Sequence, residues 1–370
     1  MMLERTVRVL VVDDNSLRRS VLSDVLAEIA QVEAVGTAGS GPIAVAKLES
    51  LKPDIITLDF EMPETDRLVL LNKLKETGSK TSVVMVSSLS REGAKVTMKA
   101  LELGAFAFLT RPKLSDPREG KDSLLSQLKP IISAFIVSKL LAIRKEIAGQ
   151  EISEPPTVAG TSVSHRQVSF PEANTPIPPA GDIQIVAIGI STGGPNALAQ
   201  VIPLLPEHFR VPVVVVQHMP PEFTRVLAES LHSKSRLSVV EGADGMQLAP
   251  GTVFIAPGGK QMKIVRQGGI MRLRITDDPP ENHCKPSADY LFRSIADLYG
   301  KKALGVIMTG MGSDGVAGLK MMKKMGACVL AQDETSCVVF GMPFEAMREG
   351  IVDVVCSLSG MAEEIVKRVN

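Results

Sequence analysis

Residues 7–14 read VRVLVVDD, a run of mainly β-branched apolar side chains that ends in two aspartates. An apolar run of this length, bounded by polar residues, is typical of a strand buried on both faces of a parallel sheet. From Val7 to Leu109, similar runs alternate with segments whose apolar residues recur at helical spacing. That alternation predicts a doubly wound parallel α/β sheet for the first part of the chain.

The same alternation continues through most of the chain. The strands predicted for the first domain are Val7–Val12, Glu33–Thr37, Asp54–Leu58, Ser82–Val86 and Phe106–Leu109. Helices are predicted at Ser16–Ile29, Pro42–Leu48, Leu68–Thr77 and Glu92–Leu103, and an amphipathic stretch at Ser123–Ile147 is expected to close the domain. A second set of strands is predicted at Ile183–Ile190, Val211–Gln217, Thr252–Ala256, Ala303–Met308 and Cys328–Ala331. We therefore predict an α/β protein with two doubly wound parallel-sheet domains.

The segment between the two alternations has a different composition. Residues 151–180 contain six prolines and almost no periodic pattern, which predicts an extended, semi-rigid linker. The total of 370 residues also suits two domains better than one. The 41 Lys and Arg balance 41 Asp and Glu, and the balance holds in each half. Neither half therefore has the basic surface of a nucleic-acid or anionic-membrane binder.

Targeting signals and cysteine pairs are also missing from the sequence. No apolar tract approaches the ~18 residues that span a bilayer, and the N-terminal residues lack the apolar core of a signal peptide. We therefore expect a cytoplasmic protein without direct membrane insertion. The four cysteines lack CxxC spacing, which favours buried reduced thiols over a disulfide or zinc site. They are Cys284, Cys328, Cys337 and Cys356.

Three aspartates follow two predicted strands of the first domain. Asp13 and Asp14 come directly after Val7–Val12, and Asp59 comes directly after Asp54–Leu58. The carboxyl ends of parallel strands meet at one edge of a sheet, where such folds bind ligands. Converging carboxylates require a cation, and oxygen ligands favour Mg²⁺. Local roles as helix N-caps are the alternative.

Two later strand ends extend this acidic site. Ser87 offers a hydroxyl and Arg111 a cation, so the group suits transfer of a phosphoryl group to Asp59. The segments VLVVDDN, DIITLDFEMP, SSLSREGA and TMKALELGAFAFLTRP resemble the receiver domain of two-component response regulators. The resemblance implies phosphorylation of Asp59 by a histidine kinase, with Mg²⁺ held by Asp13, Asp14 and Asp59. It has two departures, because the family usually has Lys at position 111 and Gly at position 67, where this chain has arginines.

The second domain opens with a serine on a glycine-rich turn. Residues 189–195 read GISTGGP between the strand Ile183–Ile190 and a helical pattern at Asn196–Ile202. Such a turn exposes a serine hydroxyl, and the helix N-terminus offers N–H groups and a positive dipole to an oxyanion. A phosphate-binding loop is the alternative for Gly-rich turns of this kind.

A histidine and an aspartate follow two other strands of this domain. His218 lies at the end of Val211–Gln217, and Asp314 follows Ala303–Met308 in TGMGSDG. Each has a local alternative, a strand cap for His218 and an N-cap of Val316–Met325 for Asp314. Together they suit a triad in which Asp314 accepts the Nδ1 proton of His218 and Nε2 accepts the Ser191 proton. His283 is a weaker candidate base, whereas His165, His208 and His232 lie in the linker or in polar stretches.

Six segments extend this pattern over residues 183–368. VAIGISTGGP, VVVVQHMPPEFT, VFIAPGGKQM, KPSADYLFRS, GVIMTGMGSDG and AQDETSCVVFGMP resemble, in order, the catalytic domain of chemotaxis protein-glutamate methylesterases. The resemblance implies Ser191 as nucleophile, His218 as base and Asp314 as orienting acid, with Thr192 and Met311 lining the site. With the helical stretch and linker described above, we therefore predict three regions: a receiver at 5–122, a connecting helix and proline-rich linker at 123–182, and the methylesterase domain at 183–370.

The family implies hydrolysis of glutamate methyl esters on methyl-accepting chemoreceptors, with release of methanol, and deamidation of receptor glutamines. A chemotaxis histidine kinase is the implied phosphodonor, Mg²⁺ is the implied receiver metal, and the esterase step needs no cofactor. In such proteins the receiver covers the catalytic cleft until it is phosphorylated. The alternatives are a constitutive esterase or signalling adaptor with a degenerate receiver, because of Arg67 and Arg111, and a DNA-binding output, which the lack of a basic segment disfavours.

Overall fold

The five strands predicted for the first half form one parallel sheet in the order β2-β1-β3-β4-β5. The computed structural model describes residues 6–112, 117–150 and 182–370. The strands are β1 (Val7–Val12), β2 (Val32–Ala38), β3 (Ile55–Asp59), β4 (Ser82–Ser87) and β5 (Ala107–Thr110). The connecting helices are α1 (Ser16–Ala27), α2 (Gly41–Leu51), α3 (Glu64–Glu76) and α4 (Arg91–Glu102). Each predicted strand and helix of this domain is confirmed, within a few residues at its ends.

The amphipathic stretch predicted at Ser123–Ile147 lies within a longer helix, α5 (Pro117–Gln150). Leu124, Leu128, Ile132 and Phe135 of this helix are buried in one apolar cluster with β1 and α1. The first half of α5 therefore completes the core on one face of the first sheet. The proline-rich linker predicted at 151–180, with His165, lies outside the described residues.

The second domain is built on a seven-stranded parallel sheet in the order β14-β13-β12-β6-β7-β9-β8. Its strands are β6 (Ile185–Ile190), β7 (Val213–Gln217), β8 (Ser238–Glu241), β9 (Thr252–Ile255), β12 (Ala303–Ile307), β13 (Cys328–Gln332) and β14 (Val354–Cys356). Its helices are α6 (Gly194–Val201), α7 (Phe223–His232), α8 (Ala288–Tyr299), α9 (Val316–Lys324), α10 (Met342–Arg348) and α11 (Leu358–Val369). The two-sheet α/β architecture is thus confirmed. The strand β6 lies at the centre of the second sheet.

Four strands of this domain were not predicted. The edge strands β8 and β14 have only four and three residues, too short for a clear apolar run. The other two, β10 (Gln261–Gln267) and β11 (Ile270–Thr276), form an antiparallel hairpin outside the main sheet. Gly268 and Gly269 connect them with positive φ angles, and a two-glycine turn between alternating segments is a recognisable hairpin signal.

The four cysteines are all free thiols, as expected from the lack of paired spacing. Only Cys328 is buried, so the prediction of buried thiols is wrong for Cys284, Cys337 and Cys356, which are partly exposed. Within the described ranges, no helix combines the length and apolar character needed to cross a bilayer.

Candidate functional site

The three aspartates of the first domain converge as predicted. β1 and β3 are neighbours, with Val12 paired to Leu58, so Asp13 and Asp14 emerge beside Asp59. Carboxylate oxygens of all three lie within 4.8 Å of one another. Asp13 and Asp59 are buried, whereas Asp14 is exposed. This set of hard oxygen donors fits a magnesium ion.

Two arginines form ion pairs with Asp59. Arg111, at the end of β5, contacts Asp59 and also lies 2.7 Å from Glu61. Arg18 of α1, which the sequence analysis did not identify, lies 3.6 Å from Asp59 and 2.7 Å from Glu61. Burial and the Asp13 charge raise the pKa of Asp59 to about 6, although Arg111 opposes them. The site therefore holds excess negative charge that two guanidinium groups only partly balance.

The other receiver residues lie at neighbouring positions. Ser87 ends β4 with a buried side chain and donates to the Ser88 carbonyl oxygen at 3.4 Å. Arg67 lies in the first turns of α3, and its guanidinium is 5.5 Å from the centre of the Phe60 ring. Arg67 is not among the residues with positive φ. The departure from glycine at this position therefore requires no special backbone conformation.

Ser191 is presented by a tightly packed turn after β6. Its N–H donates to the Thr309 carbonyl at 3.0 Å, which ties the turn to the end of β12. A Cβ atom at Gly310 would lie 2.8 Å from Ser191 Cβ, so only glycine allows this approach. In the described chain, the N–H groups of Thr192 and Gly193 have no hydrogen-bond partner. These two N–H groups are therefore available to bind an oxyanion at the start of α6.

Asp314 is buried and accepts several hydrogen bonds. Its carboxylate accepts from Ser287 Oγ at 2.6 Å, the Ala288 N–H at 2.6 Å and Asn282 Nδ2 at 3.2 Å. It also pairs with His218 Nε2 at 2.7 Å. Burial alone would raise the pKa of Asp314, but the bonds from His218, Ser287 and Ala288 lower it to about 2. These donors hold the carboxylate ionised and fixed in orientation.

His218 follows β7 and meets Asp314 as predicted, but with the opposite ring nitrogen. Nε2 faces Asp314, and Nδ1 lies 3.7 Å from Cys284 Sγ. The prediction that Nδ1 faces the carboxylate is therefore wrong, because the ring reaches Asp314 through its far nitrogen. Burial opposes protonation, but the bonds to Asp314 and Cys284 raise the pKa of His218 to about 9. Asp314 thus stabilises the imidazolium that forms when this histidine accepts a proton.

Ser191 Oγ makes no hydrogen bond to His218 within the described residues. Catalytic hydrogen bonds are often long in ligand-free enzymes and tighten when substrate binds. The other lining residues predicted from the sequence are partly exposed Thr192 and Met311, the latter with 39% of its surface accessible. His283 is exposed, as are His208 and His232. Among the histidines that the structure describes, only His218 contacts Asp314.

Residues 281–288 surround Asp314, and their contacts with this residue and with His218 were not predicted from the sequence. They supply Asn282, Ser287 and the N–H of Ala288 to the carboxylate, and Cys284 to the histidine. Asn282 and His283 both have positive φ angles. The segment lacks helix or strand periodicity, so apart from the resemblance carried by KPSADYLFRS its sequence signal is Ser287, the N-cap of α8.

The first domain packs beside the Ser191 turn. The Phe108 and Phe223 rings stack with centroids 4.6 Å apart. Arg91 of α4 pairs with Glu229 of α7 at 2.7 Å, and Glu102 accepts a hydrogen bond from Ser230 at 2.8 Å. A cavity of about 160 Å³ lies beside the end of α4 and the start of α6. It is lined by Ser82, Leu101, Gly104, Ala105, Phe106, Gly193, Pro195, Asn196 and Val338.

An acidic receiver-type site in one parallel sheet and a Ser, His and Asp group in the other define a class of protein. It is a response regulator whose output domain is a hydrolase. A family model for the response regulator receiver domain matches residues 9–120, and one for CheB methylesterase matches residues 186–365.

Whole-chain relatives identify the family. The protein-glutamate methylesterase/protein-glutamine glutaminase of Desulfotalea psychrophila is 44% identical, with 99% of each chain covered. The Bacillus subtilis protein of the same name is 43% identical, with 97% of each chain covered. The crystal structure of the Thermotoga maritima CheB methylesterase catalytic domain is 42% identical, covering 50% of this chain and 97% of that chain, with a TM-score of 0.49. The chain belongs to the protein-glutamate methylesterase/protein-glutamine glutaminase family.

Proposed function

We propose that Ser191, His218 and Asp314 hydrolyse methyl esters of glutamate side chains on methyl-accepting chemoreceptors. The observation that supports this most strongly is the His218–Asp314 pair, 2.7 Å apart, at the end of the strand next to that of Ser191. An imidazole fixed by a buried carboxylate beside a serine turn is the arrangement that activates a serine hydroxyl. The names of the relatives support glutamate esters as substrates.

The proposed reaction uses the ring orientation found for His218. Ser191 Oγ attacks the ester carbonyl while Nδ1 of the unprotonated His218 accepts its proton, and Asp314 stabilises the resulting imidazolium through Nε2. The proton then passes to the departing methoxide, and methanol leaves an acyl-Ser191 intermediate. Water attacks this intermediate, with His218 again as the base, to release the glutamate. A glutamine side chain follows the same path with ammonia as the leaving group.

The N–H groups of Thr192 and Gly193 are proposed to bind the oxyanion. They lie at the start of α6, where the helix dipole also favours negative charge. One such donor contributes about 3–4 kcal/mol to transition-state stabilisation in serine hydrolases. Met311 is proposed to line the same site, because it follows Gly310, which packs against Ser191.

We propose that the receiver controls this reaction. Asp59 would accept a phosphoryl group from a chemotaxis histidine kinase, and Asp13, Asp14 and Asp59 would hold Mg²⁺, which neutralises phosphoryl oxygens. Ser87 and Arg111 would contact the phosphoryl group. The packing of α4 and β5 beside the Ser191 turn supports a block on receptor access that phosphorylation relieves. A constitutive esterase, suggested by Arg67 and Arg111, predicts no response to phosphorylation.

The proposed organisation is a receiver at 5–122, a connecting helix and linker at 123–182, and a catalytic domain at 183–370. The packing of α5 on β1 extends the receiver core into the connecting helix. A cytoplasmic location is also proposed, since free thiols such as these four persist in reducing compartments.

Methanol release from methylated receptor membranes tests the proposal. Ser191→Ala should lose nearly all activity, whereas Ser359→Ala, an exposed serine on α11, should match the unmodified chain. A small-molecule phosphodonor with Mg²⁺ should raise the activity of the unmodified chain but not of Asp59→Asn. Persistent activity in Ser191→Ala would exclude the triad. If the phosphodonor does not change the activity of the unmodified chain, the protein is a constitutive esterase.

A further inference from the structure

Cys284 lies at the active site, yet the proposed reaction does not use it. Ligand atoms of His218, Cys284 and Asp314 all lie within 4.8 Å of one another. Cys284 and His218 are partly exposed, whereas Asp314 is buried. An imidazole, a thiol and a carboxylate are the three side-chain types that bind zinc most often.

The orientation of the histidine ring suits a metal ligand. Zn–S and Zn–N bonds of about 2.3 and 2.05 Å at a tetrahedral angle place sulfur and nitrogen about 3.6 Å apart. Cys284 Sγ and His218 Nδ1 are 3.7 Å apart. A tetrahedral ion could therefore lie between these two atoms with little movement of either side chain.

Asp314 already holds the histidine ring in the orientation that metal binding requires. Histidine ligands in metal sites usually donate their other ring N–H to a carboxylate, which fixes the ring and its tautomer. His218 Nε2 makes this contact with Asp314 at 2.7 Å. Ser287, Ala288 and Asn282 in turn hold the carboxylate. The ring is thus already fixed with Nδ1 toward the thiol.

We propose that Cys284 and His218 form an inhibitory site for a thiophilic divalent cation such as Zn²⁺, with Asp314 orienting the histidine. The inference rests on the proposed function, because the ion binds the nitrogen assigned as the base. Binding releases to solvent both the thiol proton and any proton on Nδ1, and the ion engages the Nδ1 lone pair, so Ser191 can no longer transfer its proton there. Water or other exogenous ligands fill the remaining positions.

The chemistry of the ligands separates this site from the receiver site. Thiolate and imidazole select zinc and similar metals, whereas the three carboxylates of the receiver suit Mg²⁺. Millimolar Mg²⁺ should therefore leave the Cys284 site empty while it supports phosphorylation. The same chain would respond to a hard cation in one domain and a soft cation in the other.

The first test measures methanol release by the full chain at buffered free Zn²⁺ and constant Mg²⁺. Cys284→Ser should need at least about tenfold more zinc for half-inhibition than the unmodified chain, because it loses a metal ligand. Cys356→Ser, a partly exposed cysteine in β14, should retain the original sensitivity. Equal zinc sensitivity of Cys284→Ser and the unmodified chain would overturn the proposal.

The second test is independent of esterase activity. Co²⁺ added to the full-length Ser191→Ala variant should produce a near-ultraviolet thiolate-to-cobalt charge-transfer band. The band should disappear in Ser191→Ala/Cys284→Ala and persist in Ser191→Ala/Cys356→Ala. Absence of the band in Ser191→Ala, or its persistence without Cys284, would overturn the metal site. If the cobalt band appears but the unmodified chain, with Ser191 in place, has no esterase activity, the proposed function is refuted and the metal site stands.

Discussion

Asp59 and Asp314 are both buried aspartates at the carboxyl edge of a parallel sheet, yet their pKa values shift in opposite directions. Asp59 lies beside the acidic Asp13, and burial raises its pKa to about 6. Asp314 is buried as deeply but accepts hydrogen bonds from five donors, and its pKa falls to about 2.

The difference shows that burial alone does not decide the charge of a carboxylate. Hydrogen-bond donors to the ionised form can outweigh desolvation, whereas a neighbouring anion adds to it. The site around Asp314 is thus built for a permanent anion. The site around Asp59 instead holds a carboxylate whose charge is stabilised when a cation such as Mg²⁺ binds beside it.

The largest expected effect comes from removing the Asp314 charge. Asp314→Asn should lower methylesterase turnover by about 10³–10⁴-fold, because the ring of His218 loses its acceptor and its imidazolium loses its stabiliser. The Asn side chain also leaves Ser287 and the Ala288 N–H poorly paired, at about 1–3 kcal/mol per unpaired group. Turnover and chemical unfolding of the full chain measure both effects.

Asp277→Asn is the matched control for this substitution. Asp277 is exposed, with 72% of its side chain accessible, and pairs with Lys260 and Lys285 at the surface. Its loss should leave the stability of the chain almost unchanged. Equal losses of turnover in the two variants would contradict the role given to Asp314.

The corresponding change in the receiver should have the opposite effect on stability. Asp59→Asn removes one of two adjacent buried anions, while Arg111 keeps its contact with Glu61. Without Mg²⁺ at neutral pH, the receiver should unfold at the same or a higher temperature, with a gain of up to about 3 kcal/mol. Differential scanning calorimetry measures this. A clear loss of receiver stability would show that Arg18 and Arg111 compensate the charge of Asp59 fully, contrary to its raised pKa.

Most of this comparison could be anticipated from the sequence. The apolar runs that end in Asp13, Ser191 and His218 predicted both the sheets and the edge where these residues meet, because parallel strands share one carboxyl edge. The neighbours that set the charges were harder to find. Arg18 lies on the first helix, where an arginine is usually only solvated.

The Asp314 donors other than His218 were missed for a different physical reason. They come from residues 282–289, where an irregular segment with two residues of positive φ leads into α8. Its position depends on long-range hydrogen bonds to Asp314 rather than on local preferences. The orientation of His218 was mispredicted for the same reason, since it depends on where this segment places the carboxylate and Cys284.

The pH dependence of stability should separate the two aspartates. The folded pKa of Asp59, about 6, exceeds the ordinary 3.8, so its stabilising contribution is full below pH 3.8 and is lost as pH rises to about 6. For Asp314 the folded pKa is about 2, so its contribution is present above pH 3.8 and is lost as pH falls to about 2. In metal-free calorimetry, the receiver transition should weaken by about 2 kcal/mol between pH 4 and 6.

Magnesium should sharpen this contrast. Since Mg²⁺ binds the ionised carboxylates, it should stabilise the receiver more at pH 7 than at pH 5. The unfolding temperature of the catalytic domain should not change. Zinc-free buffers and Asp59→Asn, which should show a reduced response to Mg²⁺, provide the controls. A magnesium effect that is equal at both pH values would contradict the raised pKa of Asp59.

The smallest effect is expected at a contact between the two domains. Glu102 of α4 contacts Lys234 and Ser230 at the surface, and exposed pairs of this kind contribute about 0.2–1 kcal/mol. Glu102→Ala should therefore shift the closed arrangement only slightly and raise methanol release without phosphodonor by about 1.5- to 5-fold. Glu49→Ala, an exposed acid on α2, should have no effect. If Glu102→Ala lowers this activity instead, the receiver contact supports the catalytic domain rather than blocking access to it.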